Sequence, residues 1–121
     1  MNKVIVLVLC LACVLAFNCY GNSEYDELNK EVCVFLDVPL YPVPKIEVVE
    51  KERWVYPKVA IYVEAIDTIY ILKGNLKDEV IIHELAHAAV SKYFYGKSVC
   101  QKIQEVLSGF TTYCIIRGKV N

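Results

Sequence analysis

The sequence predicts a small α+β domain: an N-terminal helix, a short antiparallel β-sheet, a helix with an HExxH motif and a C-terminal helix with a glutamate. Three observations predict this class. Apolar residues recur at helical spacing near the N-terminus, and short runs of Val, Ile and Tyr in the middle of the chain are typical of strands. Two longer helical patterns then occupy the C-terminal part of the 121 residues.

Residues 1–21 have the pattern of an export signal. Lys3 is their only charged residue, and Val4 to Phe17 is an uncharged apolar stretch of 14 residues. A membrane span needs about 20 residues, so this stretch fits the apolar region of a signal peptide better. Small residues at the −3 and −1 positions predict cleavage before Asn22.

The predicted organisation is therefore a signal peptide over 1–21 and one domain over 22–121, exported to the periplasm or secreted. The alternatives are cleavage after Ala16, lipidation at Cys13 or an uncleaved anchor, and contact with a membrane is expected only through an uncleaved or lipidated N-terminus. Roughly one hundred residues suffice for one modest core.

Charge excludes one class of partner. The whole chain has a net charge of −1, and the domain without Lys3 has −2. It shows no basic stripe and no alternation of basic and aromatic residues, so nucleic acid is not an expected partner. Nothing in the composition specifies an oligomeric state.

The first predicted element is a short amphipathic helix. Ser23 to Asp26 resembles a capping box, and helical spacing continues to about Leu36. An extended connector follows, because each proline removes a hydrogen-bond donor and disfavours helix before it. The connector prolines are Pro39, Pro42 and Pro44.

Three strands are predicted next, at Ile46–Glu50, Val59–Ala65 and Thr68–Leu72. In the second, apolar residues alternate with Tyr62 and Glu64, which is typical of a half-buried strand. Ile66-Asp67 is expected to form the turn that joins the last two strands into a hairpin.

The motif helix is expected to begin with Asn75 as N-cap and Asp78 and Glu79 in its first turn, where acids favour the helix dipole. It runs to about Tyr95, and Gly96 ends it. Its apolar residues cover most of its circumference, which predicts a central, buried helix.

The last helix is predicted to begin at the capping box Ser98 to Gln101, to continue to about Arg117 and to end at Gly118. Cys100 and Cys114 would lie about 21 Å apart on it, since a helix rises 1.5 Å per residue. They cannot bridge each other, so either Cys33 pairs with one of them or all three remain free thiols.

His83-Glu84-Leu85-Ala86-His87 contains the only two histidines of the chain. Residues four apart on a helix project from one face, so both imidazoles can bind one ion. Buried polar side chains in an apolar helix need a partner, and a zinc ion, Zn²⁺, would supply one. The alternative is a chance match, with two core histidines satisfied by neighbours.

A catalytic zinc site needs three protein ligands. Glu105 is the predicted third ligand, because it interrupts a mostly apolar helix that should fold back over the motif helix. Small residues on the same side are expected to permit close approach of the two helices: Ser108, Gly109 and Thr112.

Glu105 has alternatives. It could be an exposed acid or a partner of Lys102, and Glu64 and Asp67 on the predicted hairpin are the reserve ligands.

From Val59 to Arg117 the chain resembles the gluzincin class of zinc metallopeptidases, which carry HExxH on one helix and a glutamate ligand on a following helix. The segments that carry the resemblance are Thr68–Leu72, His83–His87 and Gln104–Gly109. The chain lacks most of the bulk of large gluzincins, so it looks like a minimal, single-domain, zincin-like protein.

The resemblance implies zinc held by His83, His87 and Glu105, with Glu84 as the general base. It also implies that a strand near the cleft, Thr68–Leu72, pairs with an extended peptide or protein substrate. The expected function is a zinc-dependent hydrolase, a peptidase, that uses zinc-activated water. The alternative is a non-catalytic zinc-binding interaction module of the same fold.

Two supporting roles stay open among several residues. The candidates for a donor to the oxyanion of the reaction are Tyr93, Tyr95 and Tyr113. The candidates for a group that orients the imidazoles are Asp67, Asp78 and Glu79.

Overall fold

The computed structural model describes residues 24–95 and 97–120. The predicted signal peptide, Ser23 and Gly96 lie outside these ranges. The helices are α1 (Asp26–Leu36), α2 (Asp78–Tyr93) and α3 (Gln101–Val120), and the strands are β1 (Lys45–Val49), β2 (Ala60–Val63) and β3 (Thr68–Leu72). The predicted α+β class is confirmed.

The strands form one mixed sheet in the order β1-β3-β2. β2 and β3 pair antiparallel, and Asp67, in the left-handed conformation with φ of 46°, ends the turn between them. β1, however, is parallel to β3, so the prediction of an antiparallel sheet is wrong for this pair. The chain between β1 and β2 passes from one edge of the sheet to the other, and its local sequence does not encode which edge β1 takes.

Helix α2 is the central element, as predicted. It contacts β2 on one side and both other helices on the remaining sides. Its apolar residues meet the middle of β3 and the inner face of α1 in one core. The fully buried members of that core with the largest side chains are Ile69, Ile71, Ile81, Ile82, Leu85 and Val32.

One buried amide helps to fix the proline-rich connector. Asn29 of α1 is 4% exposed, and its Nδ2 donates a hydrogen bond to the carbonyl oxygen of Tyr41 at 2.7 Å. This bond satisfies a connector carbonyl that the prolines cannot pair within regular structure. The connector between α1 and β1 contains no helix, as the prolines predict.

Helix starts differ from the predicted caps. α1 begins at Asp26 after Tyr25, and α2 begins at Asp78 after Lys77; neither preceding residue makes a side-chain cap hydrogen bond. Asn75 instead donates from Nδ2 to the carbonyl oxygen of Leu72 at 3.4 Å. These ends are set by packing of the apolar faces, which outweighs a cap worth about 1 kcal/mol.

α3 begins at Gln101, three residues after Ser98, and continues through Gly118 to Val120. The predicted stop at Gly118 is therefore wrong, because one glycine costs a helix only about 1 kcal/mol. Although α3 has 20 residues, no helix in the described ranges is long and apolar enough to cross a membrane.

The three cysteines in the described ranges are free thiols, with Cys33 buried and Cys100 exposed. This outcome is one of the two that the sequence left open. Cys114 is only partly buried.

Ser108 and Thr111, both fully buried, bring α3 close to the core. Gly109, which was expected to share this role, is exposed, and a side chain added there would meet nothing within 4 Å. The close approach of α3 therefore depends on two small polar residues and not on the glycine.

Replacing Ser108 by Leu should lower the free energy of unfolding by about 1–3 kcal/mol, because overpacking forces the helices apart. Ser108→Ala is the matched control. The Ser108 hydroxyl is buried without a hydrogen-bond partner in the described part of the chain, so its removal should cost no stability. Denaturant unfolding measures both variants, and equal stability for Leu and Ala would contradict close packing at this position.

Candidate metal centre

The two histidines of α2 lie one turn apart and direct their rings to the same side. Their Nε2 atoms are 3.2 Å from each other, and the ring centroids are 4.9 Å apart. His87 is buried and His83 is partly buried. The spacing of four residues thus produces the shared face that the sequence predicts.

Glu105 of α3 meets this pair from the opposite helix. Its Oε1 lies 3.0 Å from Nε2 of His87, and its Oε2 lies 3.3 Å from Nε2 of His83. The structure therefore brings together all three residues that the sequence nominates as ligands. Glu105 is not a partner of Lys102.

The spacing of these atoms fits a metal ion. Ligands at about 2.0–2.1 Å from a tetrahedral ion are separated from each other by about 3.3–3.4 Å. The separations here are 3.2 Å between the imidazoles and 3.0 and 3.3 Å to the carboxylate. His83, His87 and Glu105 could therefore hold a metal ion, with all ligand atoms within 4.8 Å of one another.

Two further residues hold the ligands in place. Oε1 of Gln104 lies 3.3 Å from Nδ1 of His87, and an acceptor there directs the Nε2 atom toward the ion. Nζ of Lys58 donates to Oε1 of Glu105 at 2.9 Å. Neither residue was nominated from the sequence. Gln104 directly precedes Glu105, which is a usable signal, whereas Lys58 lies 47 positions away and has no sequence signal.

Protonation also favours cation binding. Burial lowers the pKa of His83, and the neighbouring His87 lowers it further, although Glu105 opposes the shift. Burial alone would raise the pKa of Glu105, but Lys58 and the imidazoles outweigh it, so that pKa is lowered. A neutral imidazole and a charged carboxylate are the forms that bind a cation.

Glu84 differs from Glu105 in both burial and protonation. It is 6% exposed, and burial raises its pKa; Glu105 adds to the rise, while His87, Lys58 and the nearby N–H of Tyr62 reduce it. A carboxylate with a raised pKa, placed beside the ligands, is suited to accept and return a proton.

The ligands lie between two connected hollows of a surface cleft. One has a volume of about 370 Å³ and is the more polar of the two, with Glu64, Ser91 and Gln101 in its wall. The other has about 390 Å³ and includes Val59, Val80 and Thr112. Both are lined by Lys58, Ala60, Glu84 and Glu105, so the metal centre lies in the middle of one groove.

The strand beside this groove is β2, not β3. β3 has a neighbour on each edge, so its backbone cannot pair with a substrate. The N–H of Leu72 bonds to the carbonyl of Val59, and in this antiparallel register the backbone groups of Ala60 and Tyr62 point to the open edge. The expectation that Thr68–Leu72 pairs with a substrate is therefore wrong.

The reserve ligands are placed elsewhere. The carboxylate of Asp67 accepts from the hydroxyl of Tyr62 at 2.8 Å and lies 3.2 Å from Nζ of Lys92. Glu64 is exposed and lines the polar hollow. Neither belongs to the cluster of three ligands.

The other nominated residues do not reach the ligands. Tyr93, Tyr95 and Tyr113 are exposed on the surface and line neither hollow. Asp78 and Glu79 lie in the first turn of α2 as expected, but Gln104 takes the orienting position at His87.

Fold and site together define a small α+β domain with a candidate His₂Glu metal centre in an open groove. Comparisons with protein-family models, curated proteins and solved structures found no match. The functional assignment therefore depends on the chemistry of the groove itself.

Replacing Gln104 by Ala should weaken metal binding by roughly 10–100-fold, the usual effect of removing a group that orients a ligand. Lys102→Ala is the control, because it changes an exposed residue of the same helix. Competition with a metal-sensitive dye measures both affinities. Unchanged affinity in the Gln104 variant would remove it from the centre.

Proposed function

We propose that this protein is a zinc-dependent hydrolase whose substrates are peptides. One observation carries the proposal: two imidazole nitrogens and the Glu105 carboxylate converge in a groove that also contains the buried Glu84. Two histidines and one glutamate form the ligand set of several catalytic zinc sites, which keep a fourth position open. The groove gives a substrate access to that position.

A zinc ion bound there would polarise a carbonyl and lower the pKa of water to about 7. Glu84 accepts the proton of the attacking water and returns it to the leaving amine. Burial raises the pKa of Glu84, which brings it closer to the pKa values of the attacking water and the leaving amine. The same burial argues against a purely structural centre, because a buried carboxylate that does no chemistry is a cost to folding.

Lys58 supplies the positive charge expected at the reacting carbonyl. Its ammonium contacts Glu105, and it lines both hollows of the groove. In the proposed reaction the Nζ donates a hydrogen bond to the oxyanion as charge develops. This role replaces the one considered for the three surface tyrosines.

The groove accommodates an extended peptide along β2. The open edge presents the N–H and carbonyl of Ala60 and the carbonyl of Tyr62, whose own N–H is bonded to the Glu84 carboxylate, and an added strand would pair with these groups. Glu84 and Glu105 line the groove beside Ala60. A peptide bound in this way has its backbone next to the residues assigned to the chemistry.

Glu84→Gln should retain zinc and lose about 10²–10⁴-fold in cleavage rate, because the amide keeps the shape but cannot accept the proton. A peptide-library digest with wild type and variant, with zinc content determined on both, measures the effect.

Asp78→Asn is the matched control, since Asp78 is an exposed carboxylate in the first turn of the same helix, and it should leave cleavage unchanged. Chelator-sensitive cleavage at wild-type rate in the Glu84 variant would rule out its role as base. Zinc binding without cleavage by the wild type would favour the non-catalytic module.

If a peptide substrate pairs with β2, methylation of its backbone nitrogens should lower kcat/KM at every second position along the peptide. Each substrate N–H that points to β2 contributes a hydrogen bond worth about 0.5–1.5 kcal/mol, so its methylation should lower kcat/KM roughly 2–10-fold. The intervening positions point away from β2 and serve as internal controls. A cleaved peptide methylated at one position at a time provides the measurement, and an effect without alternation would exclude strand pairing.

A further inference from the structure

The outward face of α3 carries large apolar side chains that have no place in the core. Ile103, Val106, Phe110 and Tyr113 are each more than half exposed, and they recur at intervals of three and four residues over about 15 Å of helix. Phe35 of α1, 40% exposed, extends the face, with its ring 5.9 Å from that of Phe110. We call these five residues the apolar face.

Single exposed apolar residues are normal, but a contiguous set indicates a surface that is covered in use. Gly109, which directly precedes Phe110 of the apolar face, is itself exposed, with open space around it. A glycine there weakens the helix by about 1 kcal/mol relative to alanine, without any packing reason inside the domain. The apolar face therefore serves something outside it.

The charges that α3 itself places at the border of the apolar face are positive. Of its three basic residues, Lys119 pairs with Glu31 of α1 at 3.4 Å, which leaves Lys102 and Arg117, and its one acid, Glu105, belongs to the metal centre. Arg117 lies at the border of the apolar face, where it donates a hydrogen bond to the hydroxyl of Tyr113 at 2.8 Å. An apolar face bordered by Lys and Arg is typical of helices that lie in the surface of anionic membranes.

The same charges disfavour a second copy of this chain as the occupant. Antiparallel pairing of two α3 helices about Gly109 and Phe110 would place Lys102 opposite Arg117 of the other copy. Parallel pairing would place each basic residue beside its own equivalent. Like charges in direct opposition destabilise both arrangements, whereas anionic lipid neutralises them.

We propose that α3 docks on a membrane surface rich in anionic phospholipids, with Phe35, Ile103, Val106, Phe110 and Tyr113 inserted at the level of the headgroups. Lys102 and Arg117 contact the lipid phosphates. This inference goes beyond the proposed hydrolase activity and does not depend on it. Glu105 is on another side of the same helix, so the groove stays open to substrate in the docked protein.

Sedimentation with vesicles alone cannot test this docking, because the apolar residues 4–17 of the full chain could attach it by themselves. The readout must report on α3. Phe110→Trp places a fluorophore in the apolar face, and Val48→Trp places one on β1, where Val48 is 47% exposed. Both variants of the full chain are bound to vesicles of phosphatidylglycerol and phosphatidylcholine with bromine at defined acyl positions.

We expect bromine at shallow acyl positions to quench the added fluorescence of Phe110→Trp, because the face would enter the boundary between headgroups and acyl chains by about 5–10 Å, and to leave that of Val48→Trp unquenched. Substitution of Lys102 and Arg117 by Gln in the Phe110→Trp chain should abolish the quenching, as should vesicles of phosphatidylcholine alone. The quenching should also decrease with added salt.

Equal quenching at positions 110 and 48 would overturn the proposal. Quenching that persists without anionic lipid or without the two basic residues would overturn the assigned lipid chemistry. A dimer in analytical ultracentrifugation that Val106→Glu dissociates, together with no quenching at position 110, would identify the apolar face as an interface between copies and would equally overturn it.

Discussion

The structure depends on the contact between Glu105 of α3 and the two imidazoles of α2. That contact places three polar side chains at the meeting point of two helices, where burial without partners would be costly. α2 must be central for the histidines to be enclosed, and α3 must come close enough for one carboxylate to reach both nitrogens at 3.0 and 3.3 Å. Ser108 and Thr111, which are small and fully buried, make that approach possible.

Around this contact, the pKa shifts and the positions of the side chains both favour binding of a cation. Burial lowers the pKa of His83, and although burial alone would raise the pKa of Glu105, Lys58 and the imidazoles lower it. Burial raises the pKa of Glu84, which lies one residue from a ligand. The pKa values of two carboxylates in one groove thus shift in opposite directions because the two groups differ in environment. The open edge of β2 lies beside the groove, and under the proposed function an extended peptide would bind along it.

Much of this arrangement could be predicted from the sequence, because it depends on periodicity. The spacing of His83 and His87 fixes their common face, and the position of Glu105 in an apolar helix indicates an inward carboxylate. The order of the strands could not be predicted, since it depends on where a connection crosses the sheet. Lys58 and the position of β2 beside the groove were missed for the same reason: both follow from contacts between distant segments. The prediction that Gly109 lies at the contact between the two helices was wrong, because the size of a residue does not indicate which side of its helix faces a neighbouring helix.

The division of the ligands between two helices has a thermodynamic consequence. The histidines share one helical turn, but the carboxylate arrives only when α3 has docked, so an unfolded chain does not present the full set of ligands. A bound ion would act as a cross-link between α2 and α3 and would shift the folding equilibrium in proportion to the logarithm of its free concentration. The persistence of the native state would then follow the supply of metal in its surroundings.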